Sequence, residues 1–220
     1  VIISTVEHLM ACLAGLEIDN AVVEVDGYEL PIMDGSAHPF TEAMTAAGTV
    51  EQEAERCYIL IKKPIVFENE DKSVGIYPDT CFRISYTIAY DHPIIGTQTY
   101  SLEITETTFS NEISGARTFG FYHEYEQLKQ LGLARGGSLE NAIVIDGETI
   151  VNEDGLRYDN EFVRHKILDC LGDFSLLGLP IRGHIVAYKS GHLFNHKLLE
   201  KIFQSKDCWE TGLMDESQIG

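Results

Sequence analysis

The chain has 220 residues, 44% of them hydrophobic and 10% aromatic, and its 16 basic and 35 acidic side chains give a net charge of −19. This composition excludes a disordered chain, and no apolar run approaches the roughly 18 residues that a membrane-spanning helix needs. The acidic balance makes nucleic acid an unfavourable partner, because phosphate backbones repel a protein of this charge.

The first fifty residues predict a compact group of short elements. Ser4–Ala14 is predicted to be a helix, with Ser4 as N-cap and Glu7 three residues later in a capping box. Further along, the pattern predicts a strand at Ala21–Val25, an irregular loop at Pro31–Ser36 and a helix at Pro39–Ala47.

The acidic stretch over residues 49–56 is typical of a linker and predicts a domain boundary. We therefore expect a first domain over 1–50, a second over 51–205 and a loose tail over 206–220. An antiparallel meander is predicted at the start of the second domain, with strands Tyr58–Ile61, Ile65–Glu68, Ser73–Tyr77, Phe82–Tyr90 and Thr99–Ile104.

Helices and two further strand regions follow this meander. The predicted helices are Thr107–Ile113, Phe121–Leu131, Asn160–Leu177 and Leu193–Phe203, and the predicted strands are a hairpin of Ala142–Ile145 with Thr149–Val151 and a buried strand at Ile185–Tyr188. Strands that precede helices, rather than alternating strictly with them, indicate a layered α+β fold.

The helix predicted at Asn160–Leu177 carries the most informative pair of side chains. His165 and Asp169 are four residues apart, so they share one helix face and could bind the same divalent cation. The alternative is a solvated ion pair, which is the more frequent origin of this spacing.

Three other segments carry groups of matching chemistry. Glu7-His8 offers a carboxylate beside a metal-binding imidazole, although Glu7 could simply complete the capping box with Ser4. Thr118 lies in a glycine-flanked segment that could stabilise a reacting oxygen, or the segment could be an ordinary turn. His192 follows a strand and opens a helix, where it could donate a proton or be a surface histidine.

Together these groups match a mononuclear zinc hydrolase. Two histidines and one aspartate leave a fourth position for water, and a neighbouring carboxylate can accept the proton of that water. The five cysteines are odd in number, widely spaced and without a CxxC pair, which argues against a thiolate zinc site and for free thiols in a reducing cytoplasm. Arg164, Lys166, Lys189 and His192 could form a basic patch for an anionic substrate.

The motifs occur in the order of a known family. These motifs are STVEHLMACLAG, PIMDGSAHPF, ARTFG, NEDGLRYDNEFVRHKILDCLGD and AYKSGH. Through them the chain resembles the UDP-3-O-acyl-N-acetylglucosamine deacetylases, which perform the committed, zinc-dependent step of lipid A synthesis in Gram-negative bacteria. The resemblance implies two similar layered α+β domains, the second with a β-α-β insert at about 121–151 that forms a passage for the acyl chain.

The resemblance also implies roles for individual residues. It implies that zinc, or Fe²⁺ in its place, is bound by His8, His165 and Asp169. It implies that Glu7 is the general base and that Thr118 stabilises the oxyanion. It also implies that His192 is protonated, that Asp173 holds His192 in place, and that Lys166 adds a nearby positive charge.

Softer implications concern the substrate. The resemblance implies that Phe119, Phe121 and Gly137 line the acyl passage and that Tyr90 contacts the nucleotide. Family members have a further N-terminal segment, so a truncated sequence or a second polypeptide completing the first domain is expected. The alternatives are a catalytically silent module that binds a sugar nucleotide or acyl chain, and a non-enzymatic scaffold in which these residues are ion pairs.

Overall fold

The computed structural model describes residues 2–123 and 138–213. These residues form the predicted layered α+β fold, and they contain a seven-stranded sheet, a three-stranded sheet and five α-helices. The helices are α1 (Glu7–Gly15), α2 (His38–Ala47), α3 (Glu106–Thr108), which continues into a π-helical turn at Phe109–Ile113, α4 (Glu161–Ser175) and α5 (His192–Gln204).

The large sheet consists of β1 (Cys57–Ile61), β2 (Ile65–Asn69), β3 (Lys72–Tyr77), β4 (Phe82–Ala89), β5 (Thr97–Glu103), β9 (Ile181–Tyr188) and β10 (Trp209–Leu213). The small sheet consists of β6 (Phe119–Phe121), β7 (Ile143–Asp146) and β8 (Thr149–Ile150). The hairpin of β7 and β8 agrees with the predicted one, with Ile145 opposite Ile150.

The predicted simple meander is wrong, because a distant strand enters its centre. Strand β9 pairs antiparallel with β3 on one side and parallel with β4 on the other, so β3 and β4 are not neighbours. Alternate residues of β9 are buried, which includes Ile181, Ile185 and Ala187. Pairing on both sides places β9 in the middle of the sheet, and its buried side contributes to the hydrophobic core.

Several predicted elements differ from the observed ones. Helix α1 begins at Glu7 rather than Ser4, and residues 21–25 form no strand. Phe121 ends strand β6 instead of beginning a helix; Tyr122 and His123 are helical, and the remainder of that predicted helix, residues 124–131, lies outside the described residues. The segment after Lys206, predicted to be loose, contributes β10, which pairs with β1 along its whole length.

Helix α4 forms the centre of the molecule. It packs against α1, α5 and strands β4 and β5, and its apolar side chains Phe162, Val163, Ile167, Leu168 and Leu171 are fully buried or nearly so. On the buried sides of such a helix the side chains are usually apolar, because polar groups there lose their contact with water. Its buried polar residues His165 and Asp169 therefore need another explanation.

Gly172 sets the distance between α1 and α4. A Cβ atom at this position would lie 2.1 Å from the carbonyl oxygen of Glu7, so the two backbones touch where a side chain is absent. This contact brings the first turn of α1 directly onto α4.

We expect Gly172→Ala to lower the free energy of unfolding by about 1–3 kcal/mol, because the added methyl group forces the two backbones apart. Chemical denaturation monitored by circular dichroism measures the change. Gly120→Ala is the matched control, since a Cβ there meets no atom within 4 Å. Equal stability of the Gly172→Ala variant and the unmodified protein would contradict the close-packing account.

Within the described ranges, no helix combines the length and apolar character required to span a bilayer. The five cysteines are all free thiols.

Candidate metal centre

Three buried side chains from two helices meet at the contact between α1 and α4. His8, His165 and Asp169 each present one ligand atom, and these atoms lie within 4.8 Å of one another. Nε2 of His8 is 3.7 Å from Oδ1 of Asp169, and Nε2 of His165 is 3.4 Å from the same oxygen. The imidazole rings of His8 and His165 pack edge to face, with centroids 5.1 Å apart.

These separations suit ligands of one cation better than direct partners of each other. Both are longer than a nitrogen–oxygen hydrogen bond. A tetrahedral zinc ion with bonds of 2.0–2.1 Å places its ligand atoms about 3.4 Å apart. Nδ1 of His8 is also buried without a hydrogen-bond partner among the described residues. The three residues therefore fit a divalent cation.

Burial keeps both imidazoles in the neutral form that binds metals. It lowers the pKa of His165 to about 4, against the opposing effect of Asp169, and it also lowers the pKa of His8. Burial alone would raise the pKa of Asp169, but Lys166 and the neighbouring histidines hold that pKa well below its usual range. Nζ of Lys166 lies 2.9 Å from Oδ2 of Asp169.

A backbone carbonyl orients His165. Its Nδ1 donates to the carbonyl oxygen of Ala116 at 3.0 Å, so Nδ1 carries the proton and the lone pair of Nε2 is left to face Asp169. This arrangement excludes a solvated ion pair for His165 and Asp169, since both side chains are buried.

Glu7 does not serve as the partner in a capping box. It is the first residue of α1, and the helix has no side-chain cap. The hydroxyl of Ser4 donates to the carbonyl oxygen of Tyr28 instead, 24 residues away in sequence. Glu7 directly precedes His8 where α1 meets α4, and its negative charge favours a higher pKa for both His8 and His192.

His192 approaches the cluster from α5. Its Nε2 lies 3.9 Å from Oδ2 of Asp169, and its Nδ1 lies 2.9 Å from Oδ2 of Asp173. The hydrogen bond to Asp173 raises the pKa of His192 to about 9, so the imidazole is protonated at neutral pH.

Asn195, which no sequence motif marks, supports the pair of His192 and Asp173. Its buried amide donates to Oδ2 of Asp173 at 2.7 Å and accepts from the hydroxyl of Ser190 at 2.8 Å. The only sequence signal is its position three residues after His192 on the same helix.

Thr118 lies two residues beyond the carbonyl that orients His165. Its backbone N–H donates to the carbonyl oxygen of Gly35 at 2.7 Å, and its own carbonyl accepts from Ile143 at the same distance. The backbone of Thr118 is thus fixed beside the cluster, with its side chain partly exposed.

Aromatic side chains extend from the cluster toward the small sheet. The ring of Phe119 lies 6.4 Å from that of His165 and 5.9 Å from that of Tyr90, and Nζ of Lys166 lies 5.5 Å from its centroid. Phe121 contacts His92, and both line a pocket of about 330 Å³ that Tyr90 also borders. Gly137, assigned to the same passage by resemblance, lies outside the described residues.

The basic patch inferred from sequence does not form as one unit. Lys189 pairs with Asp71 at 2.6 Å, and Arg164 pairs with Glu112 while its guanidinium stacks on Tyr100. Of the four candidates, only Lys166 and His192 converge on Asp169.

The fold and the site define a metal-dependent hydrolase, in which neutral imidazoles and a carboxylate lie beside a second carboxylate and a protonated histidine. The family model described as LpxC: UDP-3-O-acyl N-acetylglycosamine deacetylase matches residues 1–204. The chain belongs to this family, whose members are metal-dependent hydrolases that act on an amide.

Curated relatives support the same assignment. The chain is 54% identical to the UDP-3-O-acyl-N-acetylglucosamine deacetylase of Myxococcus xanthus, over 94% of this chain and 66% of the relative. The proteins of the same name from Syntrophotalea carbinolica and Saccharophagus degradans are 51% and 49% identical, over 94% and 99% of this chain and 67% and 72% of the relatives. The chain thus spans about two thirds of the length of these relatives.

Proposed function

We propose that this protein hydrolyses the N-acetyl amide of UDP-3-O-acyl-N-acetylglucosamine, giving UDP-3-O-acyl-glucosamine and acetate, the committed step of lipid A biosynthesis. The observation that carries the proposal is the buried cluster of His8, His165 and Asp169 in a chain of this family. His192, whose Nε2 lies 3.9 Å from Oδ2 of Asp169, and Glu7, which directly precedes His8, support hydrolysis rather than binding alone.

The proposed cation is Zn²⁺, bound by His8, His165 and Asp169; the same donors also accept Fe²⁺. When bound, such a cation lowers the pKa of a water molecule and polarises the amide carbonyl. The neutral imidazoles and the ionised Asp169 are already in the protonation states that binding requires.

Glu7 is proposed to be the general base that accepts the proton of the attacking water. A carboxylate suits this role when it lies within reach of the water, and the proposal is supported by the backbone of Glu7, which packs against Gly172 of α4 directly before the proposed ligand His8. Thr118 is proposed to donate a hydrogen bond to the carbonyl oxygen as negative charge develops on it.

His192 is proposed to donate its proton to the departing amine. Asp173 accepts a hydrogen bond from Nδ1 of His192 and so directs Nε2 toward Asp169 and the reaction centre. Lys166 adds positive charge on the same side, where it would stabilise developing negative charge.

The aromatic groups are proposed to bind the two ends of the substrate. Tyr90 borders the pocket of about 330 Å³ and would contact the nucleotide. Phe119 and Phe121, with Gly137, would line the acyl passage, because a fatty acyl chain requires apolar walls.

The proposal predicts that His165→Ala loses most of its bound zinc, since one of three protein ligands is removed and the remaining pair cannot complete the site. Metal content per folded chain, measured by plasma mass spectrometry after dialysis, tests this. His184→Ala is the matched control, because His184 on β9 bonds Ser85 instead. Full zinc retention by the His165→Ala protein would reject His165 as a ligand.

Acetate release from the native protein supplied with UDP-3-O-acyl-N-acetylglucosamine tests the reaction itself. We expect stoichiometric formation of acetate and free amine, abolished by a zinc chelator and restored by added zinc. Substrate binding without acetate release would instead identify a silent binding module.

A cytoplasmic location is also proposed, which the free cysteines support. A further segment, in the same chain or a separate one, is proposed to complete the first domain. Ile2 and Val22 support this, with 83% and 92% of their surfaces exposed. Hydrogen–deuterium exchange on the native protein should show residues 20–25 protected; rapid exchange there would contradict the proposal.

A further inference from the structure

Glu161 is a buried carboxylate to which the proposed reaction gives no role. It lies in the first turn of α4, four residues before His165, and none of its surface is exposed. An ionised carboxylate in such a place is costly unless several donors surround it. The donors around Glu161 therefore indicate what it does.

Those donors come mainly from the segment that precedes the small sheet. Oε1 of Glu161 accepts from the backbone N–H of Arg117 at 3.0 Å and from Nε of Arg117 at 2.9 Å. Oε2 accepts from the backbone N–H of Arg157 at 2.5 Å. The carboxylate thus fixes the main chain of Arg117 as well as its side chain.

Arg117 is the residue between two parts of the candidate site. The carbonyl of Ala116, just before it, accepts the hydrogen bond from Nδ1 of His165. Thr118, just after it, is the proposed oxyanion stabiliser. A bond to the N–H of Arg117 fixes the peptide plane that contains the carbonyl of Ala116, because the two groups share one planar unit.

Arg157 connects this frame to the first fifty residues. Its guanidinium donates to the carbonyl of Gly115 at 3.0 Å and to Oδ2 of Asp34 at 2.9 Å. Glu161, through the backbone of Arg157, therefore lies at the junction of the loop at Pro31–Ser36, the Gly115–Thr118 segment and α4.

We propose that Glu161 is a positioning residue that holds the Ala116–Arg117 peptide, and through it orients His165 for the metal and Thr118 for the substrate. The inference rests on the proposed function, but it concerns a residue that contacts neither metal nor substrate. Supporting groups of this kind typically change metal affinity or activity by roughly 10–100-fold when altered.

The test compares zinc affinity and steady-state kinetics in the native full-length protein and its Glu161→Gln variant. The glutamine amide has the size of the carboxylate, but its NH₂ group is a donor. It therefore cannot accept the hydrogen bonds that the carboxylate accepts from the N–H groups around it. We expect the zinc dissociation constant, measured by chelator competition, to rise about 10–100-fold, and kcat to fall about 10-fold or more with little change in KM.

Glu112→Gln is the matched control. Like Glu161, Glu112 pairs with an arginine, but it lies on the π-helical turn and its partner is Arg164 of α4. We expect it to leave zinc affinity and kcat unchanged. If Glu161→Gln does not fold, Glu161→Asp decides the matter: it keeps the charge beside Arg117 but is too short for the bond to the backbone, and we expect the same losses.

A zinc dissociation constant and kcat within about twofold of the native values, in a folded Glu161→Gln or Glu161→Asp protein, would overturn the inference. Equal losses in Glu112→Gln would also overturn it, since removing any carboxylate that pairs with an arginine near α4 would then have the same effect. Zinc affinity is measured without substrate, so this outcome is separate from a failure of the native protein to release acetate.

Discussion

Replacing Glu7 by glutamine is expected to lower kcat for acetate release by roughly 10²–10⁴-fold, the usual contribution of a general base. Glutamine keeps the shape of the side chain but cannot accept a proton from water. Because Glu7 provides none of the three clustered ligand atoms, the zinc content of the variant should remain at the native level. Steady-state assays at saturating substrate, with metal analysis of the same samples, measure both quantities.

Glu17→Gln is the control for this experiment. Glu17 follows the same helix but pairs with Arg56, with about half of its side chain exposed. We expect its replacement to leave kcat unchanged, as for most exposed ion pairs. Near-native turnover by a folded, zinc-loaded Glu7→Gln protein would show that another group accepts the proton.

The second large effect is expected at His192, where alanine should lower kcat by roughly 10²–10⁴-fold while zinc stays bound. The imidazole donates a proton only in its charged form, and its pKa is raised to about 9 chiefly by the hydrogen bond to Asp173. Activity that depends on the charged form is present below that pKa and lost as the pH rises through it. Rate–pH profiles of the native protein and the variant measure this alkaline limb, the loss of activity as the pH rises.

Two further variants separate this role from a structural one. His196→Ala removes an exposed imidazole one turn along the same helix, where it pairs with Glu200, and should leave the profile unchanged. Asp173→Asn should move the alkaline limb to lower pH, because the carboxylate that stabilises the charged imidazole is lost. An unshifted limb in Asp173→Asn would contradict the assignment of the limb to His192.

Local pattern was sufficient for the helix that carries most of the site. The apolar face of α4 and the spacing of His165 and Asp169 are properties of consecutive residues, so both the helix and the shared direction of the two side chains follow from sequence. The α+β class follows equally from the order of strands and helices.

The errors lie where distant residues decide the outcome. Ser4 satisfies every local rule for an N-cap, yet its backbone and hydroxyl bond Tyr28, so the helix begins at Glu7. Strand β9 enters between β3 and β4 from a hundred residues downstream, which no local hydrophobic pattern specifies. Likewise, residues 21–25 have the composition of a strand but no neighbouring strand among the described residues to pair with.

The residues that support the site could not be predicted from sequence for the same reason, because their roles depend on distant residues. Glu161 and Asn195 are ordinary helix residues in composition, and their importance lies in bonds to Arg117 and Asp173 across 44 and 22 positions. A single sequence gives residue types and spacings along the chain, whereas these bonds depend on how the helices and loops pack together.

The central claim is that His8, His165 and Asp169 surround one cation, and diffraction data collected on both sides of the zinc absorption edge test it most directly. We expect a single anomalous peak about 2.0–2.2 Å from Nε2 of His8, Nε2 of His165 and a carboxylate oxygen of Asp169. A zinc-loaded crystal in which these three side chains show no shared peak, or in which the metal lies on other residues, would contradict the claim.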